Sequence, residues 1–160
     1  MTPVRPVGQP LRVRRLLVLS CVWFGCATEP LGDNFVAPDP MIDEDFFYCR
    51  IQPEIIATQR CSSGGSGEGG MCHSARSALR LAPEGETDPP PACDGNLLVG
   101  DPPASYVENY ERVRFTVRAD PFNSPFYRRP VGLDSHPREI FSPASAEADL
   151  IVEWLTGSGM

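Results

Sequence analysis

The side chains that could do chemistry in this 160-residue chain are few: four cysteines after the first 26 residues and two histidines. Cys61 and Cys72 stand either side of ten residues, five of them glycine, and His73 follows Cys72 directly. Cys49 lies upstream, Cys93 lies in a proline-rich stretch, and His136 sits in Asp-Ser-His-Pro. Thiols in an exported small domain pair, and four allow three connectivities. The first expectation is Cys61 with Cys72 and Cys49 with Cys93, the latter holding a loop that has little else to hold it. The same atoms offer a second chemistry, a structural zinc held by Cys61, Cys72, His73 and either Cys93 or His136. An oxidising compartment and directly adjacent Cys-His ligands weigh against zinc. No hydrolase pattern forms, because Gly64, Ser66 and Glu68 miss the last glycine of G-x-S-x-G. The chain has no lysine, which removes phosphate-loop, Schiff-base and Ser-Lys chemistry. The acids Asp43, Glu44 and Asp45 read as a solvated run, so no enzyme is expected.

The cysteines need a compartment and a scaffold. Arg5, Arg12, Arg14 and Arg15 precede an apolar run from Leu16 to Phe24, the layout of an export signal and too short to span a bilayer. The run ends in Gly25-Cys26, which resembles the lipobox of bacterial lipoproteins, although Trp23 and Phe24 depart from its usual residues. Cys26 is therefore expected to carry lipid, with Cys21 as the second candidate and a plain signal peptide as the alternative. Past residue 26, ten arginines face 21 acids, a net charge of −11. Such a body attracts neither nucleic acid nor anionic lipid, so the lipid must provide the membrane attachment. The expected location is the periplasmic side or cell surface. Residues 27–45, acidic and proline-containing, read as a tether with a reach on the order of 24 Å.

Residues 46–157 read as one mainly helical, loop-rich domain. Phe47, Ile51 and Ile55 recur every four positions, predicting a helix over about 43–60 with Pro53 inside it. Ser74 to Leu81 is a short helical candidate, with Ala75, Ala78, Leu79 and Leu81 inward and Pro83 as its stop. Residues 83–103 hold six prolines and read as a loop ending in an Asp101-Pro102 helix cap. Tyr106, Tyr110, Val113 and Val117 mark a second helix, with a strand over 112–118 as runner-up. Asp120-Pro121 breaks that pattern, and Ser124-Pro125 opens a short turn or helix. Leu150, Ile151, Trp154 and Leu155 define a last helix stopped by Gly157.

Two stretches together resemble a known family. Phe47 to His73 runs from an aromatic residue through Pro-Glu-Ile-Ile to Cys and Cys-His. Asp120-Pro-Phe-Asn-Ser-Pro-Phe, then Gly132 to His136, then Ile151-Val-Glu-Trp154 form the other half. Both are similar to the secreted cytochrome c-like domains of the planctomycete cytochrome type. The resemblance implies a cytochrome c-like fold, covalent haem c on Cys61 and Cys72, iron ligation by His73 and His136, and one-electron transfer with a redox protein partner. It also leaves Cys49–Cys93 as a disulfide. Met41, Met71 and Met160 are the distal-ligand alternatives, and Arg128-Arg129 is a candidate grip for an anion or haem propionate. The chain departs from the family in its spacer, ten residues where the family has two. Opening the loop that far costs only about 1.4 kcal/mol of closure entropy, and the glycines allow the needed turns. The alternative is a haem-free, disulfide-stapled interaction module of a surface lipoprotein.

Lipidation at Cys26 has a direct consequence. In a bacterium with lipoprotein processing, the protein should partition with membranes, and Cys26→Ser should release it or stall its maturation. Equal solubility of both forms after export would refute lipidation.

Overall fold

The computed structural model describes residues 42–64 and 72–157. The export signal, Cys21, Cys26, most of the expected tether, Met41, Met71, Met160 and the middle of the glycine-rich spacer lie outside the described residues. Backbone contacts divide the chain into Met1–Val36 and Ala37–Met160, and the described residues all belong to the second unit. About half of them are helical, with one short two-stranded sheet. No helix among them is long and apolar enough to cross a membrane.

The first helix begins where the acidic run ends. Asp43 accepts a hydrogen bond from the Phe46 amide at 3.1 Å, an N-cap, and Glu44 and Asp45 sit in the first turn, where the helix dipole favours acids. Asp43 thus caps the helix, and Glu44 and Asp45 belong to its first turn. Helix α1 (Glu44–Phe46) runs on as a wide π-helical segment, Phe47–Ala57. Pro53 lies inside that segment. It has no N–H to give and its ring crowds the carbonyl four residues back, so ordinary α-helical turns cannot pass through it. Phe46, Phe47, Ile51, Ile55 and Ile56 are all buried.

Next comes a short π-helical turn, Cys72–Arg76, where a longer helix to Leu81 is expected. The helix stops early because its polar groups bond locally: Ser77 Oγ donates to the Leu79 carbonyl, and the Leu81 amide donates to the His73 carbonyl at 2.9 Å. Ala75 and Ala78 are consequently exposed, while Leu81 reaches the core. A 3-10 turn, Pro83–Glu86, follows. The proline-rich stretch, expected to be irregular throughout, contains a hairpin: β1 (Cys93–Asp94) runs antiparallel to β2 (Leu97–Leu98), with Cys93 opposite Leu98.

Helix α2 (Ala104–Val113) starts after Pro103, and the exposed Asp101 does not cap it. Its Tyr106, Tyr110 and Val113 are buried, and a 3-10 turn, Arg114–Thr116, continues it so that Val117 also reaches the core. The strand alternative over 112–118 is thereby excluded: four-residue spacing, not alternation, faces the interior. Asp120 caps the turn Pro121–Asn123, and α3 (Pro125–Arg128) follows. Helix α4 (Ala146–Thr156) is capped by Ser145, whose side chain accepts from Ala148 N, and ends at Gly157 with φ 65°. That left-handed conformation is one glycine adopts without steric cost.

The core joins the first helix, α2 and α4. The Phe47 ring lies 5.3 Å from that of Tyr110 and 5.4 Å from that of Trp154, and the Phe126 ring meets Trp154 edge-on at 5.6 Å. Each fully buried large apolar side chain contributes roughly 1.5–3 kcal/mol. Trp154 Nε1 donates to the Asp43 carbonyl at 2.8 Å, tying the last helix to the start of the first. The expected disulfide is present: Cys49 on the first helix bonds Cys93 of the hairpin, 44 residues later. Closing a loop of that size restricts the unfolded chain by about 4 kcal/mol.

One polar network is buried with the core. Gln52 and Asn109 are both 0 % exposed. Asn109 Nδ2 donates to Gln52 Oε1 at 3.1 Å, Gln52 Nε2 to the Gly85 carbonyl at 2.9 Å, and the Ala82 amide to Asn109 Oδ1 at 2.6 Å. Gly85 is required there, since a Cβ would lie 2.6 Å from Asn109 Nδ2 and 2.9 Å from Gln52 Nε2. Asn109→Ala strands the Ala82 amide and the Gln52 carbonyl oxygen without partners. It should cost about 2–4 kcal/mol, read as a lowered urea midpoint; an unchanged midpoint would show that the network carries no stability.

Candidate functional site

The first helix, the Cys72–Arg76 turn, α3 and the loop after it enclose a cavity of about 460 Å³. Its size suits a small-molecule or cofactor site. Cys61, Cys72, His73 and His136 all line it, so the fold brings together the four residues singled out for haem binding. The rest of the wall is mostly apolar, with Ile55, Ile56, Leu79, Leu81, Phe126 and Phe141 prominent. Arg129 and Arg138 are its arginines, and no described residue of the lining is a carboxylate.

The two imidazoles lie close together on the cavity wall. Their ring centroids are 6.0 Å apart and their planes differ by 19°. His73 Nδ1 lies 2.6 Å from Ser77 Oγ and 3.3 Å from the Leu79 carbonyl, and Ser77 passes its own hydroxyl hydrogen to that carbonyl. His136 Nδ1 donates to the Arg138 carbonyl at 2.6 Å. A carbonyl can only accept, so both Nδ1 atoms carry hydrogen, which in a neutral imidazole leaves the lone pair on Nε2. This is the tautomer that metal-ligating histidines adopt, set by the partner of the other ring nitrogen. Burial lowers the His73 pKa, the Leu79 hydrogen bond opposes this, and His136 and Arg129 push it further down.

Between the cysteines, the spacer is closed at its base. The His73 amide donates to the Cys61 carbonyl and the Ser74 amide to the Ser62 carbonyl, each at 3.1 Å. Beside this neck stands Glu86, at the end of the turn that Gln52 and Asn109 anchor. Its Oε1 accepts from Ser62 N at 2.7 Å, Ser62 Oγ at 2.6 Å and Ser63 N at 2.9 Å, and its Oε2 from Ser63 Oγ at 2.5 Å. Burial alone would raise the Glu86 pKa, but these donors outweigh it and hold the carboxyl below its usual range. The second expected disulfide is not formed: Cys61 is not bridged to Cys72. Burial, reinforced by the Glu86 charge, pushes the Cys61 thiol up to about 12, and Arg138 opposes the shift. At neutral pH Cys61 is therefore a thiol rather than a reactive thiolate.

Other assignments change. Cys93 is committed to Cys49 and cannot serve zinc, and no group of three or more His, Cys, Asp or Glu among the described residues is arranged to hold a metal ion. Arg128 is spent on its own loop, with bonds to Asp134 at 2.9 and 3.0 Å and to the carbonyls of Phe122 and Leu133. Arg129 is the member of that pair on the cavity. Arg138, Ser77 and Glu86 were not found by sequence reasoning. The one available signal was Ser62-Ser63 after Cys61, whose donors need acceptors wherever they are buried.

The Glu86 bonds predict a pH dependence. A carboxyl whose folded pKa is depressed contributes stability that is complete above the ordinary glutamate range and is lost as pH falls through the folded value. Acid titration below about pH 4.5 should weaken the wild type more steeply than Glu86→Gln, with Ser62 and Ser63 amides losing hydrogen-exchange protection first. Parallel acid profiles for the two proteins would refute the assignment.

Compared with known proteins, the chain matches no family model, no curated sequence and no solved structure. Its function is therefore read from the site's own residues.

Proposed function

We propose that this domain binds one haem c covalently and transfers single electrons, as an exported, lipid-anchored, cytochrome c-like protein. The observation that carries the reading is the pair of imidazoles, 6.0 Å apart and 19° from parallel, on the wall shared with Cys61 and Cys72. His73 and His136 are close enough that both would hold one iron. The hydrogen bonds at both Nδ1 atoms leave Nε2 as the ligating atom on each side.

The chain's own residues fit the rest of the group. Cys61 and Cys72 supply the two thiols. Each S–H would add across one vinyl group, sulfur to one carbon and hydrogen to the other, with no atom leaving and no oxidant consumed. The apolar wall would exclude water from a bound ring, and Arg129 and Arg138, the arginines of the lining, would offer cations to an anionic group. When bound, haem supplies reversible one-electron chemistry, at a lower potential with two histidines than with His and Met. Cys26 lipidation would hold the domain at a membrane, within reach of a redox protein partner.

Made with cytochrome c maturation factors, the exported protein should gain the mass of one haem that survives acid-acetone extraction. His136→Ala should keep the covalent haem but lose the six-coordinate low-spin spectrum, whereas His136→Met should raise the midpoint potential. An unmodified mass without Soret absorbance would overturn the proposal in favour of a haem-free interaction module.

A further inference from the structure

Resting on the haem reading above, we infer that Glu86 is the positioning residue that lets a ten-residue spacer act as a haem-attachment motif, by fixing Cys61 beside Cys72 at the closed neck of the loop. In a short Cys-x-x-Cys-His motif, two intervening residues hold the thiols at one separation. Ten residues with five glycines impose no such limit. Something outside the spacer must therefore set the position of Cys61.

Four hydrogen bonds from the two residues after Cys61 converge on the Glu86 carboxylate. An ionised acceptor makes each stronger than a neutral one would. They hold Ser62 in register with Ser74 and Cys61 with His73, through the two 3.1 Å backbone bonds that close the neck. Glu86 is itself held from behind, since its 3-10 turn is tied by Gln52 to the first helix and by Asn109 to α2. Cys61 is thus placed relative to the core and not relative to the spacer. Cys72 is placed differently. Its neighbour His73 is held by Ser77, Leu79 and the Leu81 amide, none of which contacts Glu86 in this network. Cys61 has one further tie, its amide to the Ile56 carbonyl at 3.0 Å, so loss of Glu86 should loosen Cys61 on the side facing Ser62 rather than free it, and leave Cys72 at the site.

The test compares wild type, Glu86→Gln and Glu86→Ala, each made with maturation factors and mapped by mass spectrometry for haem on both cysteines or on Cys72 alone. Gln keeps one oxygen for the three donors that meet Oε1, while Ala keeps none. The doubly attached fraction of haem-bearing protein should fall about tenfold in Glu86→Ala, equivalent to about 1.4 kcal/mol, and less in Glu86→Gln, with the remainder attached through Cys72. A merely structural role would lower total yield without moving this split. An unchanged split overturns the inference and leaves the haem reading intact. Should wild type take up no haem, the haem reading fails, and dibromobimane cross-linking of Cys61 to Cys72 in the haem-free protein decides the clamp. A tenfold slower reaction in Glu86→Ala supports it, and an equal rate overturns it.

Discussion

Gln52 and Asn109 meet in the interior with no access to solvent, and the pair connects the first helix, α2 and the turn at residues 82–86. A buried amide without a partner costs about 1–3 kcal/mol, so each of the two must find acceptors and donors for its whole side chain. Gln52 finds the Gly85 carbonyl and Asn109 finds the Ala82 amide. The result is that a stretch of irregular backbone is fixed against two helices as firmly as if it were an element of the core. Apolar contacts alone do not specify a loop's position in this way, because they are not directional.

The functional arrangement descends from that constraint. The fixed turn presents Glu86 to Ser62 and Ser63, which sets the neck of the spacer, and the neck aligns Cys61 with His73. On the opposite wall, Arg138 does a comparable service with its backbone and its side chain. Its carbonyl orients His136, and its guanidinium donates to the Gln59 carbonyl at 2.9 Å, near the end of the first helix. Both histidines are therefore oriented by main-chain carbonyls of irregular segments, and those segments are located by bonds to helices. The loops carry the candidate site residues, and the helices locate the loops.

Much of the helical scaffold was legible in the sequence. The stripe of Phe47, Ile51 and Ile55, that of Tyr106, Tyr110 and Val113, and the closing Ile151 and Trp154 all face the core, since burial of an apolar face is a local, periodic demand. Gly157 ends its helix for a reason visible in one residue. Less legible were the elements set by side-chain hydrogen bonds: the early stop of the helix after Cys72, the hairpin carrying Cys93, and the uncapped start of α2. After Cys72 the local pattern overstated helix, because the Ser77 hydroxyl bonds the Leu79 carbonyl instead.

The residues capable of chemistry were also named by the sequence, because cysteine and histidine are scarce in it and their types limit what they can do. Their meeting was not. His73 and His136 are 63 positions apart, and no periodicity relates them. Cys61 and Cys72 line one cavity although ten residues separate them, because the Cys61 amide bonds the end of the first helix and the His73 and Ser74 amides bond back to Cys61 and Ser62. Sequence determines what each side chain can bond, over the few residues that a helix or turn spans. Which distant groups share one cavity depends on burial and hydrogen-bond demands satisfied together across the whole chain, and the tertiary structure alone decides that.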